Sequence, residues 1–244
     1  MNDIVDVNTL FGPQPASSTD LPVDELLSLM QKHSIRACCT MSTVGMLLDH
    51  TAGNSATLAA CREYPALIPV ATVNPLSYFG GEGPAEQFVQ ENFRIVRFFP
   101  TSQGWPIRFA PFRTLVRTLA AKRLPIMVDV TGPGMATDLA DMMSDVDCRV
   151  VLAGVDDRQV SEAVAVLRAM RGFYVETSGL TAVGALRLLE AGVGAERLLF
   201  GSAAPGRPVA SALATVRHAG LSEEDQKAIL GANARALLNL EPQE

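Results

Sequence analysis

Ile4-Val5-Asp6-Val7-Asn8-Thr9-Leu10-Phe11-Gly12 opens the chain with a short apolar strand, near Ile4–Val7, in a stretch that turns polar at Asp6 and Asn8. Runs of the same kind recur near Ile35–Met41, Leu67–Val73, Ile95–Phe99, Pro125–Val130, Arg149–Ala153, Phe173–Glu176 and Arg197–Phe200. Several are continuous Val, Ile and Leu stretches without polar alternation, the pattern of parallel strands buried on both faces. Between them, apolar residues recur at helical spacing over Val23–Lys32, Ser55–Tyr64, Ala85–Asn92, Pro111–Lys122, Ala136–Ser144, Ser161–Met170, Thr181–Ala191 and Val209–Ala219. Asp20, ahead of Leu21-Pro22, is an ordinary start signal for the first helix. Strands and helices alternating in this way predict an α/β fold, a (β/α)8 TIM barrel. A further C-terminal helix, Glu223–Asn239, is expected beneath or beside it. No composition break or long linker divides the chain, so residues 1–244 read as one domain.

The 244 residues are 48% hydrophobic, enough for a full core, and carry a net charge of -6. Nothing basic marks a nucleic-acid or anionic-membrane partner. Cys38, Cys39, Cys61 and Cys148 lack CxxC or Cys/His metal spacing. Two of them are adjacent in an apolar run, which suits buried, reduced thiols in the cytoplasm. No basic leader precedes the first strand and no apolar stretch approaches ~18 residues, so neither a signal peptide nor a membrane span is expected.

Several phrases, in order, resemble the amidohydrolase-related family of barrel hydrolases and decarboxylases. Asp6-Val7-Asn8 resembles its first-strand Asp-Val-His, and Val73-Asn74-Pro75 the end of its third strand. Ile95-Val96-Arg97-Phe98-Phe99-Pro100 resembles the fourth strand, Pro125-Ile126-Met127-Val128-Asp129 the fifth and Val151-Leu152-Ala153-Gly154 the sixth. Tyr174–Gly179 resembles the seventh, Arg197–Pro205 the eighth, and Gly231-Ala232-Asn233-Ala234 the closing helix. The resemblance implies a metal held by first-strand His-x-His, fifth- and sixth-strand histidines and an eighth-strand Asp. Those positions map here to Asn8 and Leu10, Asp129, Gly154 and Ala203. A catalytic zinc needs about three strong protein ligands, and one carboxylate with one amide falls short. This chain therefore resembles a degenerate member, and no metal or other cofactor is expected. Without a metal that lowers the pKa of water from ~15.7 to ~7, a protein base must activate it.

His33 and His218 each stand at a helix end, where a cation suits the dipole. His50 follows the second strand and reads as a solvated helix or loop residue that could also reach the barrel mouth. In such a barrel the ligand-facing residues lie at the C-terminal strand ends, which nominates Asn8, Met41, Asn74, Arg97, Asp129, Glu176 and Ser202. Arg97 interrupts an apolar strand. It is either a carboxylate clamp or oxyanion stabiliser, or half of an internal salt bridge to Asp129 or Glu176. Asp129 is a general base, or pairs with Arg97 or caps the Thr131-Gly132 turn. Glu176 is a pocket acid or bonds nearby backbone amides. Ser202 has no evident His partner for a triad. Gly132-Pro133-Gly134 reads as a tight turn rather than an anion cradle, and Asp156-Asp157-Arg158 as a helix start. Trp105, in the loop after strand four, would be a lid over the mouth or a buried partner contact.

Catalysis would fall to Asp129, Arg97 and Glu176, and substrate binding to Asn8, Asn74, Arg97, Ser202 and Trp105. Arg97 would orient a small anionic molecule, Asp129 or Glu176 would move a proton and Asn8 would bond the reacting oxygen. The expected activity is metal-independent hydrolysis or decarboxylation of a small carboxylate-bearing compound. A non-catalytic barrel that binds a small molecule or a partner protein is the other reading, and an ordinary metal hydrolase the third. No nucleic-acid or membrane partner is expected. An exposed final helix and loops could support a homodimer.

Overall fold

The computed structural model describes residues 3–14, 20–182 and 184–240. Eight parallel strands run in chain order around a barrel: β1 (Ile4–Phe11), β2 (Ile35–Ser42), β3 (Leu67–Thr72), β4 (Ile95–Phe98), β5 (Ile126–Asp129), β6 (Val150–Ala153), β7 (Phe173–Glu176) and β8 (Leu198–Leu199). Closure between the last strand and the first rests on Val7 N–H donating to Phe200 O, Leu10 N–H donating to Ala204 O, and a parallel bridge of Thr9 with Ala204. The (β/α)8 expectation is met. The ends shift: β1 runs on to Phe11 because it pairs with β2 along its length, while regular pairing of β8 shrinks to two residues.

Alternation along each strand separates two cores. One set, including Ile4, Cys38, Val96, Phe98, Val128 and Leu152, packs outward against the helices. The other fills the barrel with Val5, Val7, Cys39, Met41, Val70, Ile95, Phe99, Met127 and Val151. Met41 belongs to that packing. The base is plugged by Ala234, Leu237 and Leu238. These lie in the C-terminal segment, which is not one helix but three pieces: Glu223–Lys227, a π-helical Ala228–Ala232 and Asn233–Leu238. Asn233 Nδ2 donates to Ala195 O and Leu198 O, both at 2.8 Å, and fixes the plug under β8.

Asp20 does not cap the first helix. Val23–His33 starts after Pro22 with no side-chain cap, and the Asp20 carboxylate instead accepts from Gln14 N–H at 3.1 Å. The second predicted helix starts earlier than expected, at His50, because Asp49 caps it by accepting from Ala52 N–H at 2.7 Å. Asp156 caps the turn Asp157–Gln159 with a full capping box, as its position suggested. Gly134 precedes helix Met135–Met142, and the Glu162 carboxylate accepts from its N–H and from Thr137 N–H, so a protein side chain takes the free amides there. All four cysteines are free. Burial pushes the Cys61 and Cys148 thiols up to about 12 and those of Cys38 and Cys39 higher still. Among the described residues no helix is long and apolar enough to cross a membrane.

The mouth is shaped by helix Thr43–Leu47, which lies against helix His50–Glu63. A Cβ on Gly53 would stand 2.1 Å from Gly45 N and 2.2 Å from its Cα. Both contacts are backbone, so neither can swing away. Gly53→Ala should therefore destabilise the fold by about 1–3 kcal/mol through overpacking. Urea unfolding checks this, and a change below ~0.5 kcal/mol, the range of an ordinary surface substitution, would show that the two helices separate freely.

Candidate functional site

Arg97 sits between Ile95 and Phe99 on the inward-facing row of β4, so its guanidinium is carried into the barrel near the C-terminal strand ends. It is only 6% exposed. A buried cation needs hydrogen-bonded counter-charge, and three contacts satisfy that need. Nε donates to Asp129 Oδ1 at 3.0 Å and Nη2 to Asp129 Oδ2 at 3.3 Å, a bidentate ion pair with the last residue of β5. Nη1 donates to Asn8 Oδ1 at 2.7 Å. The guanidinium carbon lies 4.8 Å from the Phe99 ring centre, within cation–π range.

Asn8 extends the network. Its pairing register with β2 slips between Asp6 and Thr9, an irregularity of the kind that re-aims a side chain at a barrel rim. Its Nδ2 donates to Glu176 Oε1 at 3.2 Å and to Ser178 Oγ at 3.3 Å. Glu176, fully buried at the end of β7, caps the turn Thr177–Gly179. Its Oε2 accepts from Ser178 N–H at 2.7 Å. Its Oε1 also accepts from Gly154 N–H and Ser178 Oγ–H, each at 2.8 Å. The carboxylate fits only because residue 201 is glycine: a Cβ there would lie 2.1 Å from Glu176 Oε2. Asp129, Arg97, Asn8 and Glu176 thus form one continuous chain of side chains, drawn from four strands, with alternating donors and acceptors.

Beside it the barrel surface is apolar. Leu10 and Met46, both half-buried, pack with the interior cluster that contains Phe99. Gln103 Nε2 donates to Met46 O at 3.3 Å and holds the short helix Pro100–Gln103 against Thr43–Leu47. The Asp129 side chain is 21% exposed, and Gly154 and Ala203 are half-buried.

Three nominated binding residues, Trp105, Asn74 and Ser202, stand outside this network. Trp105 is neither a lid over the mouth nor open to a partner, being only 4% exposed within this chain. It is buried in the layer between barrel and helices, its ring centre 6.4 Å from Phe98 and 4.8 Å from Phe112. Asn74 spends its side chain on the turn Pro75–Ser77, accepting from Leu76 N–H at 3.0 Å, and does not join the network. Ser202 is fully buried, and its Oγ accepts from Ala204 N–H at 3.0 Å. His33 ends its helix, His218 follows one and His50 begins one.

Asp6 was not nominated by sequence reasoning, although it lies between two apolar residues of β1. It is fully buried, and its Oδ1 accepts from Asn8 N–H and Ser202 N–H, both at 3.0 Å, which ties the β1–β8 seam beneath the network. Its Oδ2 has no hydrogen-bond partner. Burial pushes its carboxyl up to about 7 against the lowering effect of bonds from Ser202 and Asn8, and the neighbouring Glu176 charge raises it further.

Among the described residues no group of three or more His, Cys, Asp and Glu side chains is arranged to hold a metal ion. Asn8 and Asp129 face a guanidinium rather than a shared open point. This donor set does not fit a catalytic zinc, which needs about three strong ligands and an open position.

The chain matches the family described as Amidohydrolase over residues 46–240, a match that starts after β1 and so leaves Asn8 outside it. None of the curated proteins matches it. Among solved structures it superposes on a Pseudomonas putida protein provisionally assigned as a 2-pyrone-4,6-dicarboxylic acid hydrolase, with TM-score 0.82, 19% identity and 100% of both chains covered. The 5-carboxyvanillate decarboxylase of Sphingomonas paucimobilis gives 0.77 at 14% identity, covering 99% of this chain and 100% of that one. A 2,6-dihydroxybenzoate decarboxylase of Rhizobium gives 0.79 at 14%, covering 98% and 99%. At these identities the likeness is one of fold.

Proposed function

Because this chain belongs to the amidohydrolase family, we propose that its barrel mouth takes a small carboxylate-bearing ring compound and hydrolyses or decarboxylates it without a metal. The observation that carries this reading is Arg97: a buried cation at the strand ends, held by Asp129 and Asn8. Three of its five N–H donors have acceptors. The other two, one on each terminal nitrogen, meet none among the described residues. A carboxylate is the ligand that suits a guanidinium with donors to spare. Leu10 and Met46, both half-buried, offer an apolar wall for a planar ring, with Phe99 packed behind them. The neighbours in fold bear the names of enzymes for a pyrone dicarboxylic acid, a carboxyvanillate and a dihydroxybenzoate, all ring carboxylates.

In this proposal Arg97 orients the substrate carboxylate and stabilises negative charge as it develops. Asp129, the most exposed carboxylate of the network, moves the proton. Asn8, whose two amide hydrogens go to Glu176 and Ser178 and whose oxygen accepts from Arg97, holds the guanidinium in place rather than bonding the reacting oxygen. Glu176, whose oxygens are already filled by four donors, positions Asn8 rather than transferring a proton. The substrate is the proposed small-molecule partner. A second reading, a barrel that binds without turnover, draws on the carboxylates: Asp129 is paired with Arg97 and Glu176 is filled by protein donors, which leaves neither poised to take a proton.

The test is a panel of pyrone and benzene mono- and dicarboxylates offered to chelator-treated protein, with binding read by thermal shift and turnover by ultraviolet absorbance. Turnover should fall ~10²–10⁴-fold in Asp129→Asn, the range for a lost general base. Affinity should fall ~10²-fold in Arg97→Met through the loss of charge-assisted bonds. Binding without turnover selects the second reading. Turnover that requires added zinc or manganese overturns metal independence.

A further inference from the structure

We propose that the strand-end cluster of Asn8, Asp129 and Glu176 is a cation cage whose resident cation is the tethered Arg97 guanidinium. The inference rests on the metal-independent reading above.

Three observations carry it. The guanidinium is buried and reached from two sides, by Asp129 on β5 and by Asn8 on β1. The Asn8 amide is oriented by a second anion, since its Nδ2 donates to Glu176 while its Oδ1 accepts from Arg97. Two carboxylates from β5 and β7 therefore face one cation, one of them directly and one through an amide relay. Last, the cage has the shape of its occupant. Bidentate donation to Asp129 uses the Nε and Nη2 pair, a planar fork that neither an ammonium nor a spherical ion reproduces. Removing the side chain beyond Cβ should leave two carboxylates with an unfilled planar cavity selective for a free alkylguanidinium.

Ethylguanidinium matches the deleted atoms. At millimolar concentration it should raise the melting temperature of Arg97→Ala by about 3 °C or more, as expected for a ligand well above its Kd in a domain of this size. It should not stabilise the wild type, whose cage is full, nor Arg97→Ala/Asp129→Asn, which lacks the fork's partner. Ethylammonium, a cation without the fork, should have less effect on Arg97→Ala. If Arg97→Ala does not fold, Arg97→Lys carries the test. It retains a charge without the planar geometry, so it should melt below the wild type. An Arg97→Lys variant as stable as the wild type, or an Arg97→Ala that ignores ethylguanidinium, overturns the cage while leaving the proposed activity standing. Stoichiometric zinc or manganese in the purified wild type overturns both.

Discussion

Glu176→Ala should lower folding stability by about 3–5 kcal/mol, the range for stripping one partner from a buried charged network. Four donors converge on this fully buried carboxylate: Gly154 N–H, Ser178 N–H, Ser178 Oγ–H and Asn8 Nδ2–H. Alanine strands all four away from water, and an unmade bond from a buried donor costs about 1–3 kcal/mol. Glu176→Gln is the sharper variant. Oε1 and Oε2 each accept from a backbone N–H, so either orientation of the amide puts an NH2 against a donor. A loss of about 1–3 kcal/mol is expected from that clash of donors. Because Asn8 spans Glu176 and Arg97, Asn8→Ala and Glu176→Ala should not add: a double-mutant cycle should return a coupling of about 0.5–3 kcal/mol. Chemical denaturation of the set measures all three quantities. Additive losses, or a Glu176→Ala cost under ~1 kcal/mol, which is the typical single-substitution effect, would mean that water reaches these donors and that the network is not sealed.

The same residues mark where the sequence was readable. Arg97 stands out because a charge in an apolar strand must find a partner, and the internal salt bridge to Asp129 is the partner it finds. Asp129 and Glu176 were visible as strand-end carboxylates, and the alternation of strands and helices was enough for the barrel. Asn8 was visible as a residue but not as a relay, since its aim depends on a register slip that no local pattern announces. Trp105 and Asn74 were misplaced for a related reason. Position after a strand identifies the mouth end of the barrel, but not whether the chain then turns inward over the axis or outward under the helices. Trp105 turns outward to Phe98 and Phe112. Asp6 escaped because the resemblance concerns the residues two and four places beyond it. The usable signal was physical: a carboxylate between Val5 and Val7, both of which fill the barrel, faces the opposite side of β1 and is buried there as well.

That burial gives Asp6 a pH signature opposite to the common one. Its carboxyl is held at about 7 in the folded chain against a usual value of 3.8, mainly by loss of hydration. The folded state therefore binds this proton more tightly than the unfolded state. The stability associated with neutral Asp6 is fully present below about pH 4, declines as pH rises, and is lost once pH passes about 7. Over that interval the decline amounts to about 2–4 kcal/mol. Asp145, exposed, and Asp156, half-buried, act with the other sign, since paired arginines lower their values, but they titrate below the window in question. Asp6→Asn removes the titration while keeping an Oδ1 that can accept from Asn8 N–H and Ser202 N–H. Its new NH2 falls where Oδ2 already lacks a partner. Relative to the wild type, the variant should be near neutral or weaker at pH 5. It should gain steadily to pH 8, with the difference between the two proteins moving by about 2 kcal/mol or more. Denaturation midpoints at pH 5, 6, 7 and 8 give the curve directly. A difference that stays flat across that range would mean that Asp6 ionises without cost, and hence that water or a donor outside the described residues reaches its second oxygen.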